Sequence, residues 1–263
     1  MVKSISIQEL QAAISKGHTV GLNCYTPVTN FLKNLEIVLK SILSFYERQD
    51  LIPAIFSVVQ EMVNFTCVSN MRSIYYADKS YRLDNIEKFL QYEPEFLKSL
   101  SARVDSYYRD ELVKNKMMVQ ALLEHNDVSL TVKIANLSNE QLDHEFYIRD
   151  YLKSAMNYDN ILQCFNDHPE DPQGKNMGLA FSLILLKESG LRPELMRVSK
   201  SGKGAFSRIE IPFVDNYSSI RDRILRDESI VPFEKPNLIP PEFREKFEER
   251  QRQLKNNGIL PVQ

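Results

Sequence analysis

Apolar residues recur at spacings of three and four along much of the chain, and this spacing predicts amphipathic helices. The clearest examples run from Phe31 to Arg48, from Leu51 to about Asn70, and from Asn176 to Ser189. Residues 84–124 follow the same spacing, with an interruption at Pro94. The pattern therefore predicts a chain rich in helices, each with one buried face.

Alternating apolar and polar residues predict strands between these helices. Val128–Ala135 alternates most regularly, and His18–Tyr25 does so over a shorter stretch. Arg72–Tyr76 is rich in residues that favour strands, so we expect a strand directly after the second helix. Residues 194–213 form two alternating segments around a Ser-Gly-Lys-Gly turn, which is typical of a β-hairpin.

Helices and strands mixed in this order predict an α/β fold. We expect one domain over residues 18–213, preceded by a short segment, 1–17, and followed by a helical extension, 214–263. The extension contains a highly charged predicted helix, Pro241 to Lys255, and several prolines: Pro232, Pro236, Pro240, Pro241 and Pro261.

Charge and composition exclude several classes of protein. The 263 residues include 33 basic and 35 acidic side chains, and this balance argues against a nucleic-acid or anionic-membrane partner. We find no uninterrupted apolar run of the ~18 residues that a membrane helix needs, and the N-terminus lacks the apolar centre of a signal peptide. We therefore expect a cytoplasmic protein.

The cysteines and histidines predict no metal site. Cys24, Cys67 and Cys164 are widely separated, and no two of them form a CxxC pair. We expect them to be reduced, buried thiols. The four histidines are also scattered, and none belongs to an HExxH motif.

A polar, glycine-containing loop precedes the apolar helix 176–189, within Asp167–Gly190. The first turn of a helix leaves backbone amides unpaired, and such amides can bind an anion. Gly174 and Gly178 are four residues apart at this junction, with Lys175 beside them. The alternative is a solvated loop that precedes a core helix.

Three segments, together with the order of elements over residues 18–213, resemble the GHKL ATPase family of gyrase B, histidine kinases and anti-sigma kinases. They are EMVNFTCVSN (61–70), IANLS (134–138) and GKNMGL (174–179). The resemblance implies a two-layer α/β sandwich, in which helices cover a mixed sheet. It also implies ATP as a ligand.

In the first segment the family has a Glu that orients or activates water and, four residues later, an Asn that binds magnesium. Glu61 matches the catalytic residue, but the later position is Phe65. Asn64 comes one residue early, about 100° away around the helix. Because magnesium requires oxygen ligands, Phe65 argues against a magnesium site.

The other two segments carry the nucleotide-binding positions that the resemblance implies. Asn136 and Ser138 stand where the family has an adenine-binding Asp and a Gly, although a polar turn at the end of a strand explains them equally well. Gly174, Gly178 and Leu179 match the glycine motif, and Lys175 is placed to pair with a phosphate.

These departures favour a pseudo-ATPase: a non-catalytic signalling or regulatory protein that works through contacts with an unidentified protein partner. The alternative is an ATP-binding switch or an anti-sigma-type kinase with an atypical site. As an enzyme, it would be an ATP-dependent kinase or ATPase with Glu61 as its base. A homodimer is compatible with either hypothesis.

Two further features bear on partners and phosphotransfer. His144 follows the central strand, and we interpret it as a residue on a surface helix, not as a phosphate acceptor. Phe243, Phe247 and Leu254 recur at helical spacing in the extension. This helix is either solvated and partly packed on the domain or a docking element.

Overall fold

Over the described residues the protein is a two-layer α/β sandwich in which helices cover one face of one sheet, as the resemblance implies. The structure is a computed structural model, and it describes residues 6–27, 29–81, 86–103, 107–136, 152–167, 177–201 and 204–225.

The sheet has five strands in the order β1-β2-β3-β5-β4. All neighbouring strands pair antiparallel, whereas the resemblance implied a mixed sheet. The strands are β1 (Val20–Cys24), β2 (Val119–His125), β3 (Ser129–Asn136), β4 (Met196–Ser201) and β5 (Gly204–Pro212).

Along the described chain, helices precede β1, separate β1 from β2 and β3 from β4, and follow β5. They are α1 (Ile7–Ser15), α2 (Thr29–Phe45), α3 (Ile52–Asp78), α4 (Ile86–Arg103), α5 (Tyr107–Lys114), α6 (Ile161–Asp167), α7 (Gly178–Glu188) and α8 (Ile220–Leu225).

The main hydrophobic core lies between the sheet and the helices α2, α3 and α7. Alternate residues of the strands supply one side of it, for example Val132 on β3 and its cross-strand neighbour Ile209 on β5. Leu10 and Ile14 of α1 are buried in the same core. The predicted boundary at residue 17 stays a prediction, although α1 packs on α2.

All three cysteines are buried and unbridged, which confirms the prediction of free buried thiols. Cys67 and Cys24 come from different elements, α3 and β1. A hydrogen bond with Cys24, together with burial, raises the pKa of the Cys67 thiol well above its usual range.

The predicted strand at Arg72–Tyr76 is wrong, because α3 continues as helix to Asp78. Tyr75 and Tyr76 favour strands by local propensity, but here they are buried in a second hydrophobic cluster with Phe96 of α4. Packing against α4 and α5 therefore overrides the local preference.

The helix predicted to extend to Glu124 is also wrong at its end. The chain turns after α5 at Lys116, which has a φ of 56°, and enters β2. Alternate residues of β2 are buried, including Val119, Ala121 and Leu123. Ala and Leu also favour helices, so the sequence of β2 is difficult to distinguish from the helical pattern that precedes it.

By length and composition, one helical stretch of the described chain is sufficient to cross a membrane: Gln49–Asp78, with a mean hydropathy of 1.5. Polar residues interrupt this stretch, so it contains no uninterrupted apolar run of that length. Half of its apolar window (50%) is buried inside the protein, where α3 packs against α2, α7 and β3. Core helices meet the same criteria, so the finding is weak evidence for a membrane span.

A buried ion pair joins the far end of α3 to α4. Arg72 donates to both carboxylate oxygens of Glu93, at 2.8 and 2.7 Å, and Tyr76 donates to the same carboxylate at 3.2 Å. Only 10% of the Arg72 side chain and 14% of the Glu93 side chain are exposed. The pair thus fixes α4 against α3 beside the second cluster.

Some predictions fall outside the described residues. These are the surface position of His144 and the charged helix Pro241 to Lys255. The hairpin predicted at residues 194–213 is confirmed as β4 and β5, which pair antiparallel.

Candidate functional site

Glu61 and Gly178 meet where α3 crosses the start of α7. Gly178 is the first residue of α7, and its backbone lies against the Glu61 carboxylate. A methyl group added at Gly178 would overlap Oε2 of Glu61 and would lie 3.2 Å from Cδ. Glycine is therefore the residue that allows this close approach.

The environment of Glu61 favours its neutral form. Burial raises the pKa of the Glu61 carboxyl above its usual value, and a hydrogen bond with the Asn64 side chain opposes part of that shift. Asn64 and Glu61 are three residues apart on the helix, so they share one face. The structure thus brings together three of the predicted site residues: Glu61, Asn64 and Gly178.

A register shift within α3 would be needed to move Asn64 to the magnesium-binding position of the family. The structure shows regular α-helix throughout Ile52–Asp78, with no π-turn. Phe65 occupies that position instead and packs, partly buried, against the main core. Among the described residues, no group of three or more His, Cys, Asp or Glu side chains is arranged to hold a metal ion.

A small cavity lies beside Phe65, between α3 and the strands β3, β4 and β5. Its volume is ≈ 10 Å³, which is about the space of one water molecule. Ligand pockets of small-molecule size usually measure about 300–1,000 Å³. The lining residues are Phe65, Thr66, Ser69, Asn136, Val198, Phe206 and Ser207.

Asn136, which the resemblance placed at the adenine position, is held by a second asparagine. Its side-chain amide donates to Oδ1 of Asn70 on α3, and Asn70 donates in turn to the carbonyl of Met117 at 3.2 Å. Both asparagines are buried, Asn70 completely. This chain of hydrogen bonds ties α3 to the end of β3 and to the entry of β2.

Sequence reasoning missed the role of Asn70, although the signal was present. Val63 and Cys67 precede Asn70 by seven and three residues, and Ile74 follows it by four. All three are buried. A polar residue on such an apolar stripe is expected to be buried with a hydrogen-bonding partner.

The remaining site predictions separate into two groups. Leu179 is 6% exposed and belongs to the main core, and its predicted role in nucleotide binding stays a prediction. Ser138, Gly174 and Lys175 lie outside the described residues, and their predicted roles stay predictions.

Comparisons with known proteins give one distant likeness. No family model matches the chain, and no curated protein matches it. A chain in the crystal structure of the SiaB-SiaC complex from Pseudomonas aeruginosa is similar, with a TM-score of 0.39 and 12% sequence identity. The alignment covers 80% of this chain and 99% of that one. At that score and identity, the likeness assigns neither family nor function.

Proposed function

We propose that the protein is a degenerate GHKL-type ATPase domain that acts as a non-catalytic regulatory protein through protein contacts. The contact between Glu61 and Gly178 carries this proposal. In the family that the sequence resembles, the corresponding glycine segment holds the phosphates of ATP. Here the first residue of the helix lies against a carboxylate of the protein itself.

Electrostatics supports this interpretation. A helix N-terminus favours an anion, but a phosphate placed at Gly178 would lie beside the Glu61 carboxyl, and that carboxyl would have to stay neutral to avoid repulsion between like charges. A magnesium ion would offset that repulsion, but Phe65 supplies no oxygen ligand at the position that would hold it.

The adenine side of the candidate site supports the same conclusion. Asn136 is engaged by Asn70, and the adjacent cavity of ≈ 10 Å³ is far smaller than an adenine ring requires. Opening it would break a buried hydrogen bond, which costs about 1–3 kcal/mol. Two of the predicted ligand positions, Asn136 and Gly178, thus contact other side chains of the protein itself.

Isothermal titration of the full chain tests the proposal. ATP and adenosine are titrated separately, each with and without magnesium, into the wild type and into Glu61→Gln. We expect no binding in the micromolar range for the wild type. Micromolar affinity of the wild type for ATP would overturn the pseudo-ATPase proposal, whatever the result with Glu61→Gln.

The raised pKa of Glu61 favours the second candidate function, an ATP-dependent kinase or ATPase. A half-buried carboxyl with a raised pKa is better suited to accept a proton near neutral pH. The enzyme hypothesis requires phosphate release from ATP that disappears in Glu61→Ala and persists in Glu194→Gln, a control at an exposed position.

A further inference from the structure

Four arginines gather beside the hairpin, on the side of the sheet that faces away from the core. Arg197 on β4 and Arg208 on β5 are direct cross-strand neighbours. Arg221 and Arg223 come from α8. Arg221 is close enough to Arg197, and Arg223 is close enough to Tyr217, to affect the ionisation of those side chains. We call these four residues the arginine cluster.

The carboxylate at the centre of the cluster is fully engaged. Glu210 is 1% exposed and forms an ion pair with Arg208 at 2.9 Å. It also accepts hydrogen bonds from the Tyr217 hydroxyl at 2.6 Å and from the backbone N–H of Ile220 at 2.8 Å. This network fixes α8 against the sheet.

Asp222 is the other carboxylate that acts on Arg197. It accepts hydrogen bonds from the backbone N–H and the hydroxyl of Ser219, at 3.2 and 2.7 Å, at the start of α8. Lys133 and Glu124 lie on the same face of the sheet and interact with each other. They contribute one charge of each sign, so among the described residues four arginines against two carboxylates leave two positive charges in excess.

Two arginines of the cluster have a donor without an acceptor among the described residues. These donors are the Nε atoms of Arg208 and Arg223, and because both atoms are buried, they do not themselves face a partner in solution. Burial and the neighbouring Arg221 and Arg208 lower the pKa of Arg197. Because a guanidinium stays charged in proteins, this shift reports an electrostatic cost that an added anion would relieve.

We propose that the arginine cluster binds an acidic segment of a protein partner. This deepens the proposed function, on which it rests, by naming a contact surface and the chemistry of the partner. The guanidiniums come from three elements, so they suit several carboxylates along an extended chain better than one small anion. In the described part of the sheet, β4 is an edge strand, beside which such a segment can lie.

Fluorescence anisotropy with a labelled oligoglutamate peptide tests this, using the full chain at low and at higher salt. We expect binding that weakens with salt, and about tenfold weaker binding for Arg197→Gln/Arg221→Gln, since charge-assisted hydrogen bonds are lost. The matched control Lys40→Gln/Lys114→Gln removes two exposed positive charges from α2 and α5 and should bind as the wild type does. An oligoglutamine peptide should not bind.

Circular dichroism of the variants separates binding from folding. If Arg197→Gln lowers the melting temperature, the test uses the single variant Arg221→Gln, because Arg221 is exposed. This variant should still weaken peptide binding. Equal weakening by the lysine control, or no peptide binding at low salt, would overturn the proposal. Displacement of the peptide by an equal concentration of inorganic phosphate would assign the cluster to a single small anion instead.

Two further results keep this inference distinct from the proposed function. Self-association in sedimentation experiments that is lost in the arginine variant, without peptide binding, would assign the surface to a second copy of the chain and overturn the acidic-segment proposal. Micromolar ATP binding would overturn the pseudo-ATPase proposal but leave the measured peptide affinity unchanged.

Discussion

The Glu61 carboxyl lies against the backbone of Gly178, so the first turn of α7 meets an acidic side chain of the protein itself. This contact joins the two helices that carry most of the candidate site. It depends on the absence of a side chain at residue 178 and on a carboxyl group that burial shifts towards its neutral form.

Replacing Gly178 with alanine should return the Glu61 pKa towards its ordinary value. The new methyl group overlaps only the end of a flexible side chain, so the carboxylate should move into solvent and lose its desolvation. Alanine also favours the helix by up to about 1 kcal/mol, so we expect stability to change by less than about 1 kcal/mol.

An NMR pH titration of the Glu61 side chain measures this shift. Ala180→Gly in the same helix is the control for changed helix propensity and should leave the titration of Glu61 as in the wild type. An unchanged Glu61 pKa in Gly178→Ala would contradict the contact.

Glu61→Gln should stabilise the protein at neutral pH relative to the wild type. The folded-state pKa of Glu61 is raised, so its favourable contribution is complete below the unfolded-state pKa and is lost as pH rises through the folded-state value. Glutamine does not ionise, so the variant avoids that loss. Because Glu61 is only half-buried, we expect a gain below about 1 kcal/mol.

Urea unfolding at pH 7 and at pH 4 tests the sign of this effect. The difference between Glu61→Gln and the wild type should shrink at the lower pH, and Glu194→Gln, at an exposed position, should show no such trend. A larger gain at pH 4 than at pH 7 would contradict the prediction.

Asn70→Ala should destabilise the protein by about 2–4 kcal/mol. It removes the acceptor for Asn136 and the donor for the Met117 carbonyl, and leaves both groups in a buried setting. Asn115→Ala is the matched control, because Asn115 is exposed and bonds within its own turn, and it should cost less than about 0.5 kcal/mol.

A double-mutant cycle with Asn136→Ala resolves the pair. We expect the double variant to lose less stability than the sum of the two single variants, by about 0.5–3 kcal/mol, because each single change already breaks the shared hydrogen bond. Strict additivity in chemical denaturation would show that the two asparagines do not interact.

Asn70 also shows how far sequence reasoning reaches. Periodicity located α2, α7, β3 and the hairpin, because these elements have regular apolar faces that burial then uses. It did not identify Asn70 as a site residue, since the partner Asn136 lies 66 residues away and no local pattern joins the two. The predicted strand at residues 72–76 failed for a related reason, because the packing of Tyr75 and Tyr76 is set by α4.

The site predictions divide in the same way. Glu61 and Gly178 were singled out by a resemblance in motif spacing, and the structure places them in contact. The crossing of α3 and α7 brings the Glu61 carboxylate to the start of α7. Residue spacing in the sequence does not encode that crossing. The hydrogen bond between Asn136 and Asn70 likewise depends on tertiary packing.

Breaking the ion pair between Arg72 and Glu93 should be among the most destabilising polar changes in the described chain. Glu93→Ala would leave Arg72, whose side chain is only 10% exposed, without its bidentate partner, and would also remove the acceptor of the Tyr76 hydroxyl. Removing one member of a buried pair costs about 3–5 kcal/mol, because the other charge stays desolvated. The Arg72 guanidinium also lies 5.0 Å from the Phe96 ring, so its displacement would disturb the second cluster.

The exposed pair of Lys114 and Glu111 provides the matched control, since 72% of the lysine side chain is exposed. Lys114→Ala should cost less than about 1 kcal/mol in urea unfolding, as solvent-exposed pairs do. Native-state hydrogen exchange should show the loss in Glu93→Ala concentrated in α4 and the end of α3, where the pair joins the two helices. Equal destabilisation by the two variants would show that the Arg72 pair is solvated and contributes no more than a surface contact.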